Sequence, residues 1–176
     1  MLEVYRPSPI EGYEWVQPVR ESDFDTIYRP DASPLGASWT PLHVHLIHER
    51  GSKRRAQAPW LGGHALVFRE SVLDRVADSL SLDGEFLELN SPKERMFWFN
   101  VTRVIDALDT ATSELVCFPG EPDRIMKIKR HRFHLDRLRG AAAFRIPQVR
   151  TLFLTTEAAR VLNASAISGL SLERCG

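Results

Sequence analysis

The sequence predicts an α+β fold: a mostly antiparallel sheet carrying two or three packed helices. Three observations lead there. From residue 84 onward, apolar segments of strand length follow one another with only short turn-like connections. Two stretches, 71–80 and 156–163, instead repeat their apolar residues at helical spacing. Strands and helices do not alternate as in a parallel sheet, and no Gly/Ser-rich linker separates two bodies, so the chain reads as one cooperative unit.

Residues 2–6 and 13–19 read as short strands, split by Pro7, Pro9 and Gly12. Residues 21–38, with Pro30, Pro34 and Gly36, read as a long surface loop with room for one helical turn. Leu42, Val44 and Leu46 alternate with His43 and His45, which is the period of a strand with one buried face. The run 50–55 is a polar, basic connection, and 50–63 is the expected boundary between two subdomains. Ser71 is the expected N-cap of a helix whose inner stripe is Val72, Leu73, Val76, Ala77 and Leu80. Gly84 is expected to end that helix or sit in the loop after it.

Strands are then expected over 85–89, 95–101, 113–118, 124–132, 142–146, 151–155 and 170–174. A short helical turn is expected over 133–139. The last helix, 156–163, is capped by Thr155 or Thr156 and packs through Ala158, Val161 and Leu162. The expected core of this half is Phe99, Val101, Ile105, Leu108, Phe144, Ile146, Leu152, Leu154 and Leu170.

Composition narrows the function classes. The chain has 176 residues, 43% of them hydrophobic and 26% charged, which suits one soluble domain. Its formal net charge is zero, so it has no whole-molecule attraction to nucleic acid or an anionic membrane. No apolar run is long enough to span a bilayer, and the start lacks the basic-then-apolar pattern of a secretory signal. With Cys117 and Cys175 as its cysteines, the chain is expected in the cytoplasm with reduced thiols. Charge is uneven along the chain. Glu3, Glu11, Glu14, Glu21, Asp23 and Asp25 precede a basic stretch from Arg124 to Arg150; the two regions face each other or solvate the surface, or the basic one suits an acidic partner.

No nucleophile, cofactor or phosphate-loop motif stands out, so no catalytic residue and no cofactor is expected. The sharpest local cluster is His43-x-His45-x-x-His48. On a strand, His43 and His45 share a face with Cα atoms about 6.5–7 Å apart, close enough for zinc if other ligands join them. That gives the first alternative, a small metal-dependent hydrolase. Asp106 and Asp109 would lie on one side of a helical turn, and otherwise serve as hydrogen-bond acceptors in a turn near Ser113. In Phe97-Trp98-Phe99 the two Phe share a face and Trp98 takes the other, as core or as an exposed anchor. Lys127, Lys129, Arg132 and Phe133 give the second alternative, a regulatory nucleic-acid binder. Ile125 and Ile128 break strand alternation there, and no nucleic-acid module is present.

The second half also carries an ordered set of segments: GEFLELN, MFWFNVTRVIDALDTATSEL, RIMKIKRHRFHLDRLRGAAAFRIP and LFLTTEAARVLNASAISGLSLE. Their marks are Phe97-Trp98-Phe99-Asn100, then Asp106, Asp109 and Ser113, then Phe144-Arg145-Ile146-Pro147, then the helix before Ser168-Gly169-Leu170. Ser38-Trp39-Thr40-Pro41 and the run Val67 to Val72 add to it more weakly. In order and wording this resembles the bacterial polymorphic-toxin immunity proteins of immunity family eleven. The resemblance implies one immunity-type domain over 1–176, with a variable part to about residue 63 and a family-like core over 64–176. It implies a non-enzymatic protein that binds and silences a cognate toxin, probed best through the neighbouring gene. A homo-oligomer is compatible with it, while a membrane or nucleic-acid partner is not expected. The family supplies no catalytic residues. A surface that tells toxins apart is expected outside the shared core, at His43, His45, Arg50, Lys53, Arg54 and Arg55.

Overall fold

The computed structural model describes residues 1–29, 31–47 and 54–176. Its strands are β1 (Val4–Pro9), β2 (Trp15–Pro18), β3 (Val44–Ile47), β4 (Leu66–Arg69), β5 (Gly84–Leu89), β6 (Met96–Val101), β7 (Glu114–Phe118), β8 (Glu121–Arg130), β9 (Ala143–Ile146), β10 (Val149–Thr155) and β11 (Leu170–Cys175). Its α-helices are α1 (Asp23–Ile27), α2 (Glu70–Leu80) and α3 (Thr156–Ala164), with short 3-10 turns at Gly36–Ser38 and Leu135–Leu138. The strands form one sheet in the order β11-β1-β10-β9, another in the order β4-β6-β5, a β2-β3 pair and a β7-β8 ribbon. Each strand pairing is antiparallel. This is the expected α+β class.

Side-chain parity explains how the layers meet. On β6, Phe99 faces the central core, where it joins Leu66 and Phe68 of β4, Val72, Val76 and Leu80 of α2, and Leu162 of α3. Leu152 and Leu154 of β10 enter the same core from the first sheet. Met96 and Trp98 point the other way, onto Val67, Leu87 and Leu89 and under Val16 and Val44 of the β2-β3 pair. Phe144, Phe153 and Val4 leave the opposite face of the first sheet and pack beneath Ala107, Ile128 and Leu138. Both sheets are therefore covered on both faces. The expected core residues Phe99, Val101, Leu108, Phe144, Ile146, Leu152 and Leu154 are buried, and Ile105 and Leu170 are half-buried against it.

Several local expectations change. β1 runs through Pro7 and Pro9, pairing them with Leu172 and Leu170. The Ile10 amide donates to Gly169 O, so by parity the proline nitrogens face away from β11. They face the side where β10 pairs only as far as Tyr5, and no ladder bond is lost. α2 starts at Glu70 rather than after Ser71. Arg69, in extended conformation, is the N-cap, and the free amide of Glu70 donates to Arg95 O at 3.1 Å. Gly84 opens β5 instead of ending a helix, because a Cβ there would lie 2.4 Å from Asn100 O. β4 has no counterpart in the sequence reading. Its four residues are all buried, so they show no alternation. Thr102 to Leu108 is not helical: it carries bridges from Val104 to Arg145 and from Leu108 to Phe133, with a tight turn in which the Ala107 amide donates to Ile105 O at 2.8 Å.

Candidate partner-binding surface

β3 delivers the expected alternation. Val44 is buried while His43 and His45 are exposed. β3 is tied to β2 through Gln17 opposite His45, and on its other side the Val44 amide donates to Asn90 O at 3.0 Å. His43 Nε2 lies 3.4 Å from Asn90 Nδ2. His48, Glu49, Arg50 and Lys53 lie outside the described residues. Among the described residues, no group of three or more His, Cys, Asp or Glu is placed to hold a metal ion.

Arg54 and Arg55 are held by the chain itself. Arg54 sits over the Tyr13 ring at 4.2 Å and donates to the Glu11 carbonyl at 2.8 Å. Arg55 pairs with Glu94 at 2.5 Å. Glu94 and Asn90 line one shallow depression of about 280 Å³, with Pro41, Glu88 and Arg95. His43 and Arg55 thus flank the turn between β5 and β6, His43 through Asn90 and Arg55 through Glu94. His45 shares the exposed side of β3 with His43, and Arg54 belongs to the Gly12 turn.

Beneath this surface is a charged network. Arg69, 1% exposed, pairs with both Glu14 and Glu94, and its Nε donates to Ala56 O at 2.5 Å. Glu14 also accepts the Ala56 amide at 3.0 Å. Asp83 is equally buried and accepts the Ala142 and Ala143 amides and Arg103 at 2.6–2.9 Å. The period of the sequence gives no sign of either cluster, since each partner comes from a distant segment.

The other candidates resolve clearly. Trp98 is fully buried, so it is core and not an exposed anchor. Asp109 accepts the Ala111 and Thr112 amides and the Thr112 hydroxyl, while Asp106 accepts Gln148 Nε2 at 3.1 Å. The two aspartates therefore serve separate local contacts, and Ser113 Oγ accepts the Arg132 amide. The basic stretch is not one face. Arg124 and Lys129 pair with Glu121 and Glu114 on the β7-β8 ribbon, and Arg145 is buried. His64 sits edge-on to Tyr28, with ring centroids 3.9 Å apart. Burial, then the charges of Arg145 and Arg150, push its pKa down to about 4.

No described helix is long and apolar enough to cross a membrane. No curated protein matches the chain. The Immunity protein family (Imm11) matches residues 87–176, from within β5 to the final residue. That span holds β6, both strands of the ribbon, β9, β10, α3 and β11, while β1, β4 and α2 complete its sheets and core from outside. With the match covering just over half of its 176 residues, the chain belongs to the Immunity protein family (Imm11).

Proposed function

We infer that this protein binds a cognate bacterial toxin and neutralises it without chemistry of its own. The observation that carries this reading is the family membership over residues 87–176. The structure is compatible with a binder: Asp106, Asp109 and Ser113 serve internal contacts, and His43 and His45 lie exposed on the surface. The action is occlusion. A surface of ordinary interface size, about 1,200–2,000 Å² in total, covers the toxin's active site or holds it in an inactive shape. We assign the contact to the exposed His43/His45 face and the basic segment from Arg50 through Lys53 and Arg54 to Arg55, flanking the match to the family rather than inside it. The protein works in the cytoplasm, where such a toxin would act, and the toxin gene lies beside its own. The test is co-expression with the product of that neighbouring gene. Growth is rescued and the two proteins co-elute if the reading holds. Unrelieved toxicity with no complex contradicts it.

A further inference from the structure

Among the described residues, the deeply buried charges are paired with one exception. Arg69 has two carboxylates, and Asp83 has an arginine and two amides. Arg145 is 4% exposed, yet among the described residues no carboxylate forms an ion pair or hydrogen bond with it. Its Nη2 reaches Asn100 Oδ1 only at 3.5 Å, and its Nε has no hydrogen-bond partner among the described residues. A guanidinium stays charged at any physiological pH, so burial without an anion is costly and calls for a partner.

The surroundings are unusually cationic. Arg150, at the start of β10, donates to Tyr28 O at 2.9 Å and lies close enough to His64 to depress its ionisation. Arg29 donates to Ser33 O and lies 3.4 Å from Asp31, with its Nε also short of a hydrogen bond. His64 Nε2 is a third buried nitrogen without a hydrogen-bond partner among the described residues. Two carboxylates lie nearby, and Asp31, beside Arg29, is close enough for its charge to act on Arg145 without a hydrogen bond to it. Glu85 accepts the Leu35 and Gly36 amides and Asn100 Nδ2 at 2.6–3.0 Å. Burial alone would raise its carboxyl pKa, but those hydrogen bonds outweigh it and hold the group ionised. Asp31 accepts the Ser33 hydroxyl and is largely in solvent.

We propose that Arg145, with Arg29, Arg150 and His64, forms a receiving site for an oxyanion, reached from the Arg150 side. Its ligand chemistry is a carboxylate or sulfate-like group that accepts hydrogen bonds from Arg145 and its neighbours and adds negative charge to three arginines faced by one largely solvated carboxylate, Asp31. Two sources offer that chemistry: an acidic side chain of the toxin, or a small free anion. The toxin source rests on the immunity reading, whereas the site itself does not. An Asp or Glu inserted here would anchor the complex in a desolvated pair, the kind of contact whose loss raises the off-rate.

The experiment follows two signals of the intact protein by NMR, the Arg145 Nε–H and the His64 ring protons. Inorganic sulfate is the probe, with sodium chloride of equal ionic strength as the control. A saturable shift of both signals with sulfate, a rise of the His64 midpoint above about 4, and at least a tenfold weaker response in Arg150→Ala assign the site to free anions. No response to sulfate, but a shift of both signals in the toxin complex and at least tenfold weaker toxin binding by Arg150→Ala, assign it to a toxin carboxylate. Arg145→Gln gives the same loss where its melting temperature shows that it folds, and Arg150→Ala carries the test where it does not. Signals unmoved by sulfate and by a formed toxin complex overturn the site. Absence of any toxin complex counts against the immunity reading, and the sulfate titration then decides the site alone.

Discussion

His64 shows how strongly one side chain's surroundings govern its chemistry. Its imidazole is pushed from the ordinary 6.5 to about 4, first by burial and then by Arg145 and Arg150. Below 6.5 the unfolded chain takes up a proton that the folded chain refuses until about pH 4. Stability therefore falls as pH drops through that window, and His64 contributes no pH dependence above it. An NMR titration should place the His64 midpoint near 4, and a midpoint near 6.5 would contradict its placement beside two arginines. Phe144 makes the matching case for packing. It is fully buried, stacked at 5.5 Å on Phe153. Phe144→Ala should cost about 3–5 kcal/mol, read as a lower urea midpoint. Gly84→Ala should cost about 1–3 kcal/mol through its clash with the Asn100 carbonyl on the paired strand.

Residues of these two kinds differ in how legible they were. Phe144 and Phe99 declare themselves because an apolar side chain at strand spacing has one sensible direction. Glu14, Arg69, Asp83 and Arg145 do not. A charged residue in a sequence reads as solvated unless its partner is known, and these partners lie 20 to 60 residues away. Arg54 and Arg55 read in sequence as part of a polar, basic connection, and each is held by a backbone carbonyl or a carboxylate of this chain.

At the scale of elements, the strands β5 to β11 could be placed from sequence to within a few residues, because turn residues punctuate them. β8 shows where alternation misleads. Leu115 pairs with Ile128 and Cys117 with Ile125, so Met126 is the extra residue of a bulge and stands 52% exposed. That bulge is why Ile125 and Ile128, three apart, both face inward. β4 escaped because a strand buried on both faces has no period to detect. The Arg69 network ties β4 to the Glu14 segment and to the turn before β6, so these elements should loosen together. Glu14→Gln weakens one half of a buried ion pair that Glu94 still serves. The expected cost is up to about 3 kcal/mol, with faster hydrogen exchange at Ala56 and in β4, and no change in β11.

Taken whole, the molecule combines a family-like half with segments that wrap it. Residues 87–176 match the family, yet β1 lies between β11 and β10, and β4 completes the second sheet. A fragment limited to the matched span would expose the central core, so the match describes a scaffold that needs the rest of the chain. The β2-β3 pair and the segment up to Arg55 lie outside the match and carry His43 and His45. Surface charge there should set partner choice and association rate more than stability. Arg55→Glu should slow toxin association at low salt and change folding stability by about 0.5 kcal/mol or less, because its pair with Glu94 is largely exposed on the Arg55 side.

The central claim, neutralisation by binding and not by catalysis, is tested most directly by titrating a fixed amount of active toxin with this protein and following the toxin's own activity. Tight occlusion predicts a linear fall that ends at about one equivalent, with nanomolar affinity or better, about −12 kcal/mol. Toxin that stays active in large excess of the protein would contradict the claim, and so would inactivation that continues with time at far less than one equivalent, which is the signature of an enzyme.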